Sequence, residues 1–169
     1  PPRHVLSTSG ILRFPEYQFE YVRMGIGLYG VGLPEHPELT PVHALKARIL
    51  HIQQIEPGES VSYSRSFITD IPRTIATVNL GYADGLPRVA GNVGCSFLLH
   101  GKQAPIIGRV CMDMTMIDVT GTDVAPGDEV AIIGEQGEES IGVREMAALI
   151  GTIPYELLYT YTYSPSVTG

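Results

Sequence analysis

From residue 44 to residue 133 the chain is cut by Gly and Pro into short apolar runs, at 44–55, 74–80, 95–99, 104–107, 109–119 and 129–133. That spacing excludes long helices and predicts the strands of a small barrel or sandwich. The first run alternates, with Leu45, Ala47 and Ile49 set against Lys46 and Arg48. It then breaks phase at Ile49-Leu50, as at a bulge or where a strand changes sheets. Residues 110–119 are apolar on both faces with Asp113 and Asp118 set into them, which predicts a central strand whose carboxylates need donors. Nearer the end, Val143, Met146, Ala147 and Ile150 share one helical face, and Gly151 is placed to stop that helix. Thr152 is expected to cap a short second turn through Pro154, and the alternating Tyr and Thr from Tyr159 onward predict an edge strand.

Composition narrows the possible partners. The chain has 169 residues, 44% of them apolar, enough for one domain or for one domain and part of another. A net charge of −7 and a pI near 5.1 argue against a nucleic-acid or anionic-membrane surface. No run approaches the length of a membrane span, and the opening residues show no charged-then-apolar leader pattern. Cys95 and Cys111 make no CxxC or Cys-His spacing, and the five histidines make no paired-ligand pattern. Reduced thiols, a cytoplasmic location and no metal are therefore expected. A chain that opens on Pro1 reads as a fragment, and GLPEHPELTP, 32–41, reads as a linker.

The stretch VNLGYADGLPR, 78–88, places a phenol, a carboxylate and a guanidinium (Tyr82, Asp84 and Arg88) in one turn at a strand exit. Taken alone it is either a site or an ordinary surface turn. Two further stretches accompany it, VSYSRSF at 61–67 and GRVCMDMTMIDV at 108–119. Near the start, the apolar Val5-Leu6 hands over to Ser7-Thr8-Ser9-Gly10, a phosphate site or a plain hydroxyl turn. In YVRMGIGLYGVG, 21–32, Arg23 is expected in a buried strand, where it would need a partner and becomes a candidate ligand-binding residue.

The three motif stretches resemble the SYG, GYADG and CMD signatures of the carboxy-terminal β-domain of alanine racemase, and most closely the racemase half of bifunctional bacterial cell-wall ligase/racemase enzymes. That resemblance implies a mainly β, barrel-like C-terminal domain of a fold-type III pyridoxal-phosphate enzyme, preceded by the last strands of a (β/α)8 barrel. Residues 1–33 would be the barrel remnant, 34–42 the linker and 43–169 the β-domain. Thr8 and Arg23 keep the family's separation. By resemblance Thr8 and the backbone of Gly25 and Ile26 contact the cofactor phosphate, Tyr163 also reaches it, and Arg23 faces the pyridine nitrogen. An always-charged guanidinium there leaves that nitrogen unprotonated and the ring a weaker electron sink.

The resemblance further implies interconversion of L- and D-alanine for cell-wall synthesis by a homodimer with shared active sites. Tyr63 from one subunit would serve one face of the substrate, and a barrel Lys upstream of this chain the other. A free phenol titrates near about 10, so a phenol acting as base needs neighbours that stabilise its anion. Met112 would offer its backbone N–H to the substrate carboxylate, while Tyr82, Arg88, Arg109 and Asp113 line the access channel. Lys46 and Lys102, the two lysines present, stand outside any barrel-strand context, so the chain alone is expected to be inactive. The sequence departs from the family at Ser7 (usually Asn), Thr8 (usually Ser), Ser64 (usually Gly) and Ser164-Pro165-Ser166-Val167 (usually Arg-Val-Pro-Arg). Alternatives are a serine racemase of the same fold, a decarboxylase of related architecture, and a non-enzymatic β-barrel binding module.

Overall fold

A computed structural model describes residues 1–33, 35 and 39–162. The chain divides into two compact units, Pro1–His43 and the part from Ala44 onward.

In the first unit, helix α1 (Thr8–Arg13) is followed by 3-10 turns at Pro15–Tyr17 and Ile26–Tyr29. The stretch 21–32, expected as a buried strand around Arg23, is not a strand. It makes one parallel bridge, Ser7 to Arg23, on either side of α1, and then turns into 3-10 helix. Glycines at 25, 27 and 30 interrupt the run, and Gly30 sits at φ 75°, a left-handed conformation that ends the turn. Arg23 is correspondingly exposed, as are Val5, Tyr21, Met24 and Leu28.

The second unit is built on an antiparallel sheet of seven strands: β1 (Leu45–Ile55), β4 (Arg73–Val78), β5 (Ser96–Leu99), β6 (Lys102–Pro105), β7 (Thr115–Asp118), β8 (Glu129–Gln136) and β9 (Glu139–Ile141). Two more, β2 (Ser60–Val61) and β3 (Phe67–Ile68), form a separate small hairpin. The main path runs β6-β5-β8-β1-β4-β7, with β9 attached to β8. Ile106 bridges to Ile117, so the segment after β6 touches β7 and the two ends of the path meet at one point.

β1 joins the two halves of this sheet. Its first part pairs with β8 through Leu45–Arg48, and its second part with β4 through Ile49–Ile55. The register shifts between Ile49 and His51, where Leu50 is the extra residue and points outward at 52% exposure. Branched and aromatic residues fill the core, among them Ile49, Val78, Phe97, Leu98, Ile117, Val130 and Ile132, all nearly inaccessible.

Two expectations are corrected here. The central strand expected at 109–119 is short and terminal: only Thr115–Asp118 is strand, and it ends the path. Residues 109–114 form a loop because Cys111 N–H turns back to the Met114 carbonyl at 2.9 Å and Gly108 sits at φ 72°. Of the edge strand expected from Tyr159 onward, residues 159–162 are instead the end of helix α3 (Pro154–Thr162), and the remainder lies outside the described residues. Leu157, Leu158 and Tyr161 recur at helical spacing and are buried, and this periodicity overrides the Tyr/Thr alternation. Helix α2 (Val143–Ile150) buries Val143, Met146 and Ala147 and ends on left-handed Gly151.

Candidate functional site

Three loops of the second unit converge. The turn of the GYADG stretch is a 3-10 turn at Tyr82–Asp84, closed by the Gly81 N–H to Asp84 Oδ2 bond at 2.9 Å. It is sewn to the CMD loop by backbone bonds from Tyr82 N–H to the Cys111 carbonyl at 3.0 Å and from Ala83 N–H to the Met112 carbonyl at 2.9 Å. The approach requires Gly81, since a Cβ there would run into the carbonyl groups of Met112 and Cys111. Gly91, in the 3-10 segment Arg88–Asn92, leaves the same kind of room for the Gly108 carbonyl.

The SYS loop joins from the other side. Ser62 Oγ donates to the Arg109 carbonyl at 2.8 Å and lies 3.9 Å from Cys111 Sγ. A Cβ at Gly108 would meet Ser62 Cβ at 2.7 Å. Ser62, Ser64 and Arg65 all have positive φ, at 69°, 59° and 49°, so the tip that carries Tyr63 is held in a conformation L-residues seldom take.

Onto this junction the structure places most of the residues singled out from the sequence. Tyr63 is 65% exposed, Met112 53% and Tyr82 42%; Arg88 and Asp113 are exposed and Arg109 half-buried. The Met112 carbonyl is occupied by Ala83, while its N–H has no acceptor among the described residues. A cleft of about 450 Å³ opens between this region and the α2–α3 turn, lined by Tyr82, Arg88, Val89, Ile150, Thr152 and Glu156.

In the first unit Thr8 is buried at 3% exposure. Its Oγ1 accepts the N–H groups of Gly25 at 3.2 Å and Gly27 at 3.1 Å, so its own hydroxyl proton is left to donate elsewhere. The Ile26 amide opens a 3-10 turn and lacks an acceptor within that turn. That leaves the Thr8 hydroxyl and the Ile26 amide as two donors beside the same turn. Arg23 stands apart from them; its Nη2 donates to the Val5 carbonyl at 3.4 Å. Tyr163 lies outside the described residues.

Sequence reasoning missed Ser62, Gly81 and the partner of Asp118. Asp118 is held by Arg73, which contacts its Oδ2 through Nη1, and by the Thr120 amide at 2.9 Å and hydroxyl at 2.6 Å. Burial raises the Asp118 pKa, but the Thr120 bonds and the Arg73 guanidinium outweigh it and the net shift is downward. A lone Arg at the head of a strand gives no sign that it will reach a carboxylate 45 residues away.

Comparison with known proteins gives one answer. The family described as "Alanine racemase, C-terminal domain" matches residues 42–166. Alanine racemase of Halothermothrix orenii is 42% identical over 163 residues, which cover 94% of this chain and 43% of that protein. The crystal structure of alanine racemase from Bacillus anthracis with bound L-Ala-P superposes with a TM-score of 0.87 at 38% identity, over 94% of this chain and 42% of that one. Alanine racemase from Bartonella henselae, solved with covalently bound pyridoxal phosphate, gives a TM-score of 0.82 at 35% identity, over 94% of this chain and 44% of that one. The chain thus spans well under half the length of these relatives.

Proposed function

Because the chain belongs to the alanine racemase family through that family's C-terminal domain, we propose that it is the C-terminal part of a pyridoxal-phosphate-dependent enzyme that interconverts L- and D-alanine. The observation that supports this reading is the junction of the SYS, GYADG and CMD loops, where Tyr63 is exposed and the Met112 N–H lacks an acceptor among the described residues. A binding module would have no need to anchor an exposed phenol on a strained tip.

In this reading Tyr63 serves one face of the substrate Cα, taking the proton there as phenolate in one direction of turnover and giving one as phenol in the other, while a Lys outside this chain serves the opposite face, in an active site completed by a second subunit. The exposure of Tyr63 supports that arrangement. The Met112 N–H holds the substrate carboxylate in place as a donor that need not move during the reaction. Tyr82, Arg88, Arg109 and Asp113 border the way in, and three of them carry charge, which favours entry of a zwitterion over an apolar molecule.

The residues of the first unit fit pyridoxal phosphate, since the Thr8 hydroxyl, the Ile26 amide and the open side of Gly25 offer donors and space to a phosphate. When bound, that cofactor supplies the electron sink that makes the Cα–H removable. Arg23 cannot take up a proton and, facing the ring nitrogen, would keep it unprotonated. Tyr163 would add a phenol to the phosphate contacts. Residues 1–33 are read as the end of the cofactor barrel, 34–42 as linker and 43–169 as the β-domain. The enzyme is proposed to work as a homodimer in the cytoplasm, supplying D-alanine for peptidoglycan.

The test is a graft in which this chain replaces the matching C-terminal segment of the Halothermothrix orenii relative. The graft should interconvert L- and D-alanine well above free cofactor and turn over serine more slowly. Tyr63→Phe should keep cofactor binding yet exchange the Cα proton for deuterium faster from one enantiomer than from the other. A folded, cofactor-loaded graft without racemisation would overturn the proposal. The chain alone, reduced with borohydride in the presence of pyridoxal phosphate, should give no stoichiometric adduct on Lys46 or Lys102.

A further inference from the structure

The hairpin that presents Tyr63 is too small to hold itself. β2 and β3 have two residues each, and a hairpin of that size has no independent stability in water. Ser62 ties one side of it to the Arg109 carbonyl. The other side is tied by Arg73, the first residue of β4.

Arg73 makes four contacts that leave its own strand, the weakest of them 3.9 Å from Nη2 to the exposed Asp70 carboxylate. Nη1 pairs with Oδ2 of Asp118, the last residue of β7. Nε donates to Thr69 Oγ1 at 3.1 Å. The guanidinium also lies 5.5 Å from the ring centroid of Phe67, in β3, within cation–π range. Thr69 is 2% exposed; its N–H donates to the Glu59 carbonyl at 3.1 Å and its carbonyl accepts the Gly58 N–H at 2.8 Å, so it fastens the segment leaving the hairpin to the one entering it. Phe67 packs on the cluster of Ile55, Val61, Ile75 and Ile107.

The β4–β7 ladder has four registered residue pairs and does not need this ion pair to form. The surface pairs Arg3–Glu20 and Lys46–Glu129 have side chains 41–61% exposed, whereas Asp118 is 10% and Arg73 26% exposed. A half-buried guanidinium that touches a carboxylate, a buried hydroxyl and an aromatic face on two other segments is placed to hold those segments.

We propose that Arg73 and Asp118 are positioning residues that fix the β2–β3 hairpin on the sheet and thereby set where the Tyr63 phenol stands. The consequence for proton transfer rests on the function proposed above; the clamp itself does not.

Two substitutions test it. Asp118→Asn keeps the shape and an acceptor for Thr120 but removes the charge. Arg73→Lys keeps the charge and loses the fork that reaches Thr69 and Asp118 together. In the 169-residue chain, hydrogen exchange at the Gly58 and Thr69 amides should speed by about 10-fold or more in Asp118→Asn, while amides of the β5–β8 ladder stay within about 2-fold. In the graft, kcat should fall about 10-fold with KM within about 2-fold, because placement of the phenol matters at the chemical step and not in uptake of substrate. Arg73→Lys should fall between Asp118→Asn and the parent in both readouts, and it carries the test by itself if Asp118→Asn does not fold. Unchanged exchange at Gly58 and Thr69, or an equal acceleration at every amide, would overturn the clamp. If the unsubstituted graft is inactive the proposed function fails, and hydrogen exchange still decides the clamp.

Discussion

The amide of Tyr82 donates to the carbonyl of Cys111 at 3.0 Å, and the residue before Tyr82 has no side chain because the Met112 backbone occupies that space. Two motifs that the sequence separates are thus one backbone unit.

Gly81→Ala should therefore break the unit without any change of φ preference, since Gly81 is extended at φ −139°. The added methyl meets backbone, which cannot rotate away, and a loss of about 2 kcal/mol or more is expected. Denaturant unfolding of the chain checks it; a neutral result would mean that the loops separate at little cost.

Ser64→Gly should stabilise. Ser64 sits at φ 59° and ψ 23°, where a Cβ costs about 1–2 kcal/mol, against about 0.4–1 kcal/mol for the extra freedom glycine gives the unfolded chain. A net gain of about 0.5 kcal/mol, read by thermal melting, is expected, with Ser64→Val clearly destabilising as the control.

The Asp118 carboxyl titrates below its ordinary value in the folded chain. In acid the unfolded state therefore binds the proton first, so stability rises with pH across that window. The contribution is complete above the unfolded value of about 3.9 and is lost as pH falls through the lower folded value. Urea midpoints measured on the acid side of about pH 5 should fall less steeply in Asp118→Asn than in the parent. Identical slopes would count against the pair.

Thr8→Val should leave the buried Gly27 amide and the more open Gly25 amide without their acceptor, costing the first unit about 1–3 kcal/mol, while Thr8→Ser keeps the bonds. Faster hydrogen exchange at both glycines, and weaker pyridoxal phosphate retention in the graft, would follow. Equal behaviour of Val and Ser variants would remove Thr8 from the proposed phosphate contacts.

The strands of the sheet were largely legible because Gly and Pro cut the chain into short apolar runs, and in β1, where burial on one face writes a two-residue period, the phase break at Ile49-Leu50 marked both a bulge and a change of partner. The loops were legible as chemistry but not as conformation. Residues 109–114 carry enough apolar side chains to imitate a strand, but the turn from Cys111 N–H to the Met114 carbonyl, the left-handed Gly108 and the bonds from Tyr82 and Ala83 make them a loop. The helix at Pro154–Thr162 was hidden because Tyr159 and Thr160 satisfy a strand pattern locally, while the deciding contacts of Leu157 and Tyr161 lie elsewhere in the fold. Of the candidate site, the motif residues could be named from sequence; the ion pair behind Tyr63 could not, since nothing local joins Arg73 to Asp118.

The divided pairing of β1 also sets an order of events when the chain folds. The half that pairs with β4 finds its partner in the next strand of the main sheet, but Leu45–Arg48 must wait for Glu129–Ile133, more than eighty residues further along. On a ribosome, where the chain emerges from its N-terminal end, that first half of β1 stays open until most of the domain has been synthesised. Closure of so distant a pair carries the larger loop entropy, so the β1–β8 ladder should form late and govern the folding rate of the whole domain.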